Sequence, residues 1–225
     1  MDLSWIEQAK KEGATFLSEH ESKRLLAQFG APVPEELLTR DAAEALVFAA
    51  KVGFPVALKG CGRTLLHKTE EGMVALGIDN EPELKSKFAE LLAKLPGDAQ
   101  GILVAPMVDN RREFIAGLSI DPGFGPVVMF GLGGIFTEAL KDVAFRVAPL
   151  ETIDARELID SVRSKNLLGE VRGLPAVDTD ELEKLLVAIG RVATEIEGVT
   201  EIDCNPVLFQ NGRPVVADAL IRIGN

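Results

Sequence analysis

The sequence predicts an α+β fold of two lobes built on mixed or antiparallel sheets, and three observations predict it. Helical and strand-like hydrophobic patterns alternate along 225 residues, a length that suits one two-lobed domain or two small ones. Several neighbouring strand patterns are joined by links too short for a helical crossover, which argues against a doubly wound parallel sheet. The rhythm of helix and sheet restarts near Leu103–Val108, so the lobes are expected at residues 1–104 and 105–225.

Each element has its own signal. Leu3, Ile6 and Ala9 lie on one stripe of a short helix from Ser4 to Lys11. Leu25, Leu26 and Phe29 give Glu21–Phe29 an apolar face, and Gly30 ends it. Pro32 and Pro34 force extended chain. Asp41 caps Ala42–Val52, where Ala43, Leu46, Val47 and Ala50 recur at helical spacing until Gly53. Strands are expected at Phe54–Leu58 and Met73–Ile78, with a helix over Glu81–Leu95 stopped by Pro96-Gly97. Ile102–Met107 is a short strand, and Asp109-Asn110 a turn. In the next strand, from Arg112, Phe114, Ala116, Leu118 and Ile120 alternate with Glu113, Ile115, Gly117 and Ser119. After the turn at residues 121–126 comes a buried strand, Pro126–Phe130, then one or two strands over Ile135–Ala148. Helices follow at Asp154–Ser164 and Thr179–Ile196, the second with a stripe of Leu182, Leu185, Leu186, Ile189 and Val192. A hairpin of Val199–Phe209 and Pro214–Ile223 ends the pattern.

Composition bounds the function. A net charge of −11 argues against nucleic-acid or anionic-membrane partners, which want a basic surface. Cys61 and Cys204 are the only cysteines and form no CxxC pair, which suits a reducing cytoplasm. No apolar run approaches the roughly 20 residues of a membrane helix.

Three groups of residues carry candidate chemistry. Lys59 ends an apolar run and is followed by Gly60, Gly62 and Gly72, the cations Arg63 and Lys68, and His67, one of two histidines. Glycines and cations between two strands present backbone N–H groups and positive charge to a phosphate; a solvated hairpin loop explains the same residues. Asn211-Gly212 is a type I′ hairpin signal. Counting outward from it places Asn205 opposite Asp218 and adds Asp203 to the same face, where three oxygen ligands would suit Mg²⁺. The competing reading is a wet edge face. Val207, counted onto that face, and Asp218 between Ala217 and Ala219 favour the metal. Glu113 reads as a ribose-binding carboxylate or a surface charge. Gly131-Leu-Gly-Gly134 permits close backbone approach to a ligand but is neither a Rossmann nor a P-loop signature. Glu138 and Arg146 read as site residues or as a structural ion pair, and His20 as a surface or capping residue.

The run from His20 to Pro34, HESKRLLAQFGAPVP, resembles the opening of the nucleotide-binding β subunits of acyl-CoA synthetases. Leu66-His-Lys-Thr69, the run from Phe124 to Glu138, and Asp142 to Leu150 are similar to the ATP-grasp β subunit of ADP-forming acetate–CoA ligases, relatives of succinyl-CoA synthetase. The resemblance spans residues 20 to 218. It implies an ATP-grasp fold that holds ATP or ADP between its lobes. The implied reaction converts acyl-CoA, ADP and phosphate reversibly to acid, CoA and ATP. Lys59 would contact the α/β-phosphates; Val104, Met107 and Val108 would line adenine along the hinge, and Glu113 would meet the ribose. Asn205 and Asp218 would bind Mg²⁺, with Asp203 at the acidic position of the acid-x-Asn-Pro signature. His67 would relay phosphate from a phosphohistidine on a partner α subunit, with Arg63 and Lys68 stabilising it. The hinge departs from the family's usual Gln-Glu-Met at Ala105-Pro-Met107, which leaves ATP versus GTP open. Gly60-Cys-Gly-Arg63 and Gly72-Met73 depart from the usual phosphate loop. The chain is expected not to form acyl-CoA alone but with a CoA-binding α subunit, as α₂β₂. A regulatory nucleotide-binding module and a stand-alone carboxylate ligase are the alternatives.

Overall fold

The computed structural model describes residues 3–108, 111–134 and 141–224. In chain order the elements are α1 (Ser4–Lys11), β1 (Phe16–Leu17), α2 (Glu19–Gln28), β2 (Leu37–Thr39), α3 (Ala42–Val52), β3 (Val56–Cys61), β4 (Val74–Ile78), α4 (Glu81–Lys94) and β5 (Gly101–Pro106). Then come β6 (Phe114–Asp121), β7 (Gly125–Leu132), β8 (Val143–Val147), α5 (Thr152–Ser161), α6 (Thr179–Glu195), β9 (Val199–Gln210), β10 (Arg213–Val216) and β11 (Leu220–Ile223). Contacts divide the chain into one unit of Met1–Phe16, Glu21–Val33 and Val108–Asn225 and another of Leu17–His20 and Pro34–Met107.

The unit containing residues 34–107 is an antiparallel sheet in the order β2-β5-β3-β4, packed with α3 and α4. Its helices start where side chains supply the missing acceptors. Asp41 Oδ1 accepts from Ala43 N at 2.7 Å, and Asn80 Oδ1 accepts from Glu83 N at 3.0 Å. Gly53 closes α3 at φ +87°, a conformation a side chain rarely adopts. Ala45 and Ala49 of α3, Leu84, Phe88 and Leu91 of α4, and Val56, Leu58, Ile102 and Val104 of the sheet form one core. Burying each of the larger side chains favours folding by about 1.5–3 kcal/mol.

The other unit is built on a sheet in the order β1-β11-β9-β6-β7-β8, with β10 also pairing β9. α6 lays its expected stripe, Leu182, Leu185, Leu186, Ile189 and Val192, into the core. Phe114 stacks on Phe130 at 5.3 Å and meets Phe209 edge-on at 5.7 Å. Arg112, only 8% exposed, fastens the segment between α5 and α6. Its guanidinium donates to the carbonyls of Leu167, Gly169 and Pro175 at 3.2, 3.2 and 2.8 Å and lies over the Phe209 ring. Arg112→Ala is expected to lower unfolding stability by about 3 kcal/mol, because three part-buried hydrogen bonds lose their charged donor and a buried side chain is removed; urea unfolding measures it. Asp142 anchors the same segment, accepting from Arg163 N at 2.8 Å and Ser164 N at 2.6 Å. Burial pushes its carboxyl up, but hydrogen bonds from Ser164 and Arg163 hold it below its ordinary value.

Residues 1–104 do not form one unit, as the sequence led us to expect. Thr15 O accepts from Ile223 N, Ser22 Oγ from Ile221 N and Pro32 O from Val216 N, so most of the first 33 residues belong with the C-terminal strands. The division itself falls between Met107 and Val108. α2 begins two residues earlier than its apolar face suggested, and α5 spans Thr152–Ser161 rather than 154–164, followed by a 3₁₀ turn over Arg163–Leu168. Ile120 alternates in register with the buried Phe114, Ala116 and Leu118 but is 45% exposed. The Asp109-Asn110 turn, Glu138 and the first part of Ile135–Ala148 lie outside the described residues. No helix among the described residues is long and apolar enough to cross a membrane.

Candidate functional site

The phosphate-loop candidates are all in the unit of residues 34–107. β3 lies between β4 and β5, and five of its six residues are buried; Lys59 is the sixth. Its ammonium reaches Glu19 Oε1 at 2.8 Å, while Lys68 pairs with Glu19 Oε2. The three side chains are 14%, 11% and 2% exposed, so the charges meet away from bulk water. The Cys61 thiol belongs to the same cluster. Burial pushes it up to about 11, with Glu19 adding to the rise and Ser18, His20 and Lys68 opposing it.

The loop between β3 and β4 is pinned at several points. Gly60 N donates to Met73 O at 2.8 Å, Met73 N to Lys68 O at 2.7 Å, and Glu71 N to His67 O at 3.0 Å. Leu65 and Met73 are buried against Ala99, and Thr64 Oγ1 donates to Asp98 Oδ2 at 3.0 Å. Gly62 is needed for close approach: a Cβ there would lie 2.9 Å from Ala99 Cα. On this fastened loop the His67 side chain is exposed, whereas its neighbour Lys68 is drawn inward. Arg63, on the same loop, is half-buried.

The hinge candidates differ from one another. Val104 is fully buried in the core and pairs with Leu37 and Leu58, so its side chain offers a ligand nothing. Met107 is half-buried, and its N–H is taken by Pro55 O at 3.0 Å. Val108, in the other unit, packs with Leu208 and Val215. Glu113 is half-buried, and its carbonyl accepts from Gly133 N at 2.8 Å. A Cβ on Gly133 would lie 2.9 Å from the Phe114 carbonyl carbon, and one on Gly134 3.0 Å from Glu113 Oε2. Gly133 and Gly134 are thus held close to Glu113 and Phe114 of their own chain, where the expectation was close approach to a ligand.

The metal candidates sit on β9 and the break between β10 and β11. Gln210 pairs with Arg213 and Val207 with Val216 on one side of that break, and Asp203 with Leu220 on the other. The expected count thus holds through it, with Asp218 at the position opposite Asn205. Val207 is a correction. Between Ala116↔Cys204 and Phe114↔Val207, β9 carries one residue more than β6, a bulge at Asn205-Pro206. The extra residue turns Val207 to the buried side with Cys204, away from the Asp203 face.

Asp203 and Asp218 are half-buried and Asn205 is exposed. Burial, then the Asp218 charge, then Glu201 push the Asp203 carboxyl above its ordinary value. Burial likewise pushes the Cys204 thiol up, helped by both aspartates. Two like charges that feel one another, with Asn205 at the facing register position, fit a hard divalent cation that takes one or two carboxylates and finds its other ligands elsewhere. No cluster of three or more His, Cys, Asp or Glu suited to a metal occurs among the described residues.

Sequence reasoning missed Glu19. It lies 40 residues from Lys59 and 49 from Lys68, and only the folded chain joins them. Its one local sign was an acid, in Ser18-Glu19-His20, directly ahead of an apolar helical stripe. His20, expected at the surface or as a cap, instead meets Glu36 Oε1 through Nδ1 at 2.8 Å.

Comparison with known proteins places this geometry in context. The family profile described as ATP-grasp domain matches residues 8–223. The chain is 39% identical to the β subunit of acetate–CoA ligase [ADP-forming] II from Pyrococcus furiosus, covering 97% of this chain and 96% of that one. Among solved structures it is similar to acetyl-coenzyme A synthetase 1 of Ca. Korarchaeum cryptofilum in complex with coenzyme A and Ca-AMPCP. There the TM-score is 0.90 at 37% identity, covering 98% of this chain and 99% of that one. Another structure of that protein holds coenzyme A and Mg-AMPPCP with its phosphohistidine segment pointing towards the nucleotide-binding site. It matches with a TM-score of 0.84 at 36% identity, covering 97% of this chain and 98% of that one.

Proposed function

The chain belongs to the ATP-grasp family, among the β subunits of ADP-forming acetate–CoA ligases, and from that premise we propose that it relays phosphate between a phosphohistidine and ADP or ATP. It does so with a separate CoA-binding α subunit, assembled as α₂β₂. The observation that carries this reading is His67, an exposed imidazole on a loop otherwise fastened by hydrogen bonds and buried Leu65 and Met73. A loop of that build presents one nucleophile while keeping its backbone still.

The relay balances as two transfers. The N–P bond of the partner's phosphohistidine breaks as one forms to a His67 ring nitrogen. The His67 N–P bond then breaks as a terminal oxygen of ADP takes the phosphoryl group, and the imidazole nitrogen keeps the electron pair. Such a transfer needs little covalent help from the protein, so positioning and charge carry it. Lys59, Arg63 and Lys68 bring cations to phosphoryl oxygens. Glu113 takes the ribose, and the backbone at Met107 and Val108 lies along adenine. Asp218 and Asn205, with Asp203, would hold Mg²⁺, which when bound offsets negative charge on the nucleotide. Two buried free thiols suit a cytoplasmic setting.

The test is reconstitution. The chain mixed with its α partner, acetyl-CoA, phosphate and Mg-ADP is expected to form ATP, read by a luciferase assay, and neither subunit alone is expected to do so. Equal ATP formation without the α chain would replace this reading with a stand-alone ligase. Nucleotide binding without any ATP formation would replace it with a regulatory module.

A further inference from the structure

We propose that Glu19 is a positioning residue for the phosphate relay, acting through Lys59 and Lys68; this rests on the relay reading above. One carboxylate uses its two oxygens on two different pieces of chain. Oε1 takes the ammonium of Lys59 at the middle of β3, and Oε2 that of Lys68 on the loop. Lys68 directly follows His67, so the tie fixes the residue beside the nucleophile to the strand that carries the phosphate lysine.

Physical chemistry makes the tie worth having. A lysine side chain has up to about 2 kcal/mol of rotamer freedom, and left to itself samples many positions for its charge. Glu19 is 2% exposed, so its carboxylate is itself held, and each ammonium bonded to it is confined. Misplacing a reacting group by about 1 Å costs on the order of a hundredfold in rate. Glu19 need never touch the nucleotide; it sets where two cations and the adjacent imidazole stand. In protein kinases a phosphate-binding lysine likewise depends on a glutamate from a helix.

The experiment uses the reconstituted complex and Glu19→Gln, which keeps shape and removes charge. ATP formation is expected to lose about thirtyfold or more in kcat while KM for ADP moves less than about threefold. Glu19→Asp, keeping the charge on a shorter arm, is expected to recover part of that loss. Lys68→Met combined with Glu19→Gln is expected to lose less than the product of the two single losses, because the variants share the Lys68 tie and only Glu19→Gln also frees Lys59. Losses that simply multiply, or a Glu19→Gln enzyme with normal kcat, would overturn the proposal. A second arm does not depend on turnover. Competitive acetylation read by mass spectrometry is expected to find Lys59 and Lys68 protected in the native chain and several-fold more reactive in Glu19→Gln of unchanged circular dichroism. Equal protection overturns the positioning role whether or not the complex makes ATP; a wild-type complex that makes none overturns the relay reading instead.

Discussion

His67→Ala is expected to abolish ATP formation by the reconstituted complex, with a loss of at least about a thousandfold in kcat, because the loop holds no second imidazole to carry the phosphoryl. The side chain is exposed and the loop is held by backbone hydrogen bonds and by buried Leu65 and Met73. Stability and Mg-ADP affinity should therefore stay within about twofold of the parent. Labelled phosphate from acetyl-CoA and inorganic phosphate should no longer appear on this subunit after a quench at alkaline pH, where phosphohistidine survives. Wild-type turnover in the variant would remove His67 from the reaction, whatever the rest of the site does.

Asp218→Ala is expected to weaken Mg-ADP binding by about a hundredfold, equivalent to about 3 kcal/mol, the scale of taking one partner from a desolvated charge contact. Calorimetry reads it directly. Asp218→Asn separates metal binding from folding. In the presence of EDTA it should raise the unfolding midpoint, since it removes one of two facing negative charges where burial and the Asp218 charge already push the Asp203 carboxyl up. With Mg-ADP present the same substitution should lower the midpoint, because the ligand that stabilises the native state is lost. Unaltered nucleotide affinity in both variants would take the cation away from this break in the ladder.

Sequence periodicity located the elements whose signals are local. α1 and α3 run as read, α3 because its stripe lies between a capping acid and a closing glycine, α1 on its apolar stripe alone, since Leu3 at its N-cap supplies no side-chain acceptor. The register of the terminal hairpin followed from Asn211-Gly212 alone. β1 and β2, two and three residues long, carry too few side chains for alternation to register. The bulge at Asn205-Pro206 reversed Val207, since a count by twos assumes an unbroken ladder. Chain division failed for a different reason. Hydrophobic rhythm shows where a pattern restarts, not which strands the opening segment will pair with. In the candidate site the residues of chemical character were legible, but the carboxylate that binds two of them together was not: its partnership spans distant chain and leaves no spacing to read.

The edge formed by Thr15 and Ile223 has a bearing on how the molecule is made. A ribosome delivers residues 34–107, with all four strands of their sheet, before any of β6 to β11 has been made. The other sheet receives β1 before any of its other strands and must wait for β11, which emerges after all of them, before Ile221 can reach Ser22 and Ile223 can reach Thr15. A nascent chain stalled at residue 215 would already own the imidazole loop, yet would lack Asp218 and the closing strand. Domain-wise folding during synthesis therefore assembles the nucleophile's support before the acidic ribbon exists.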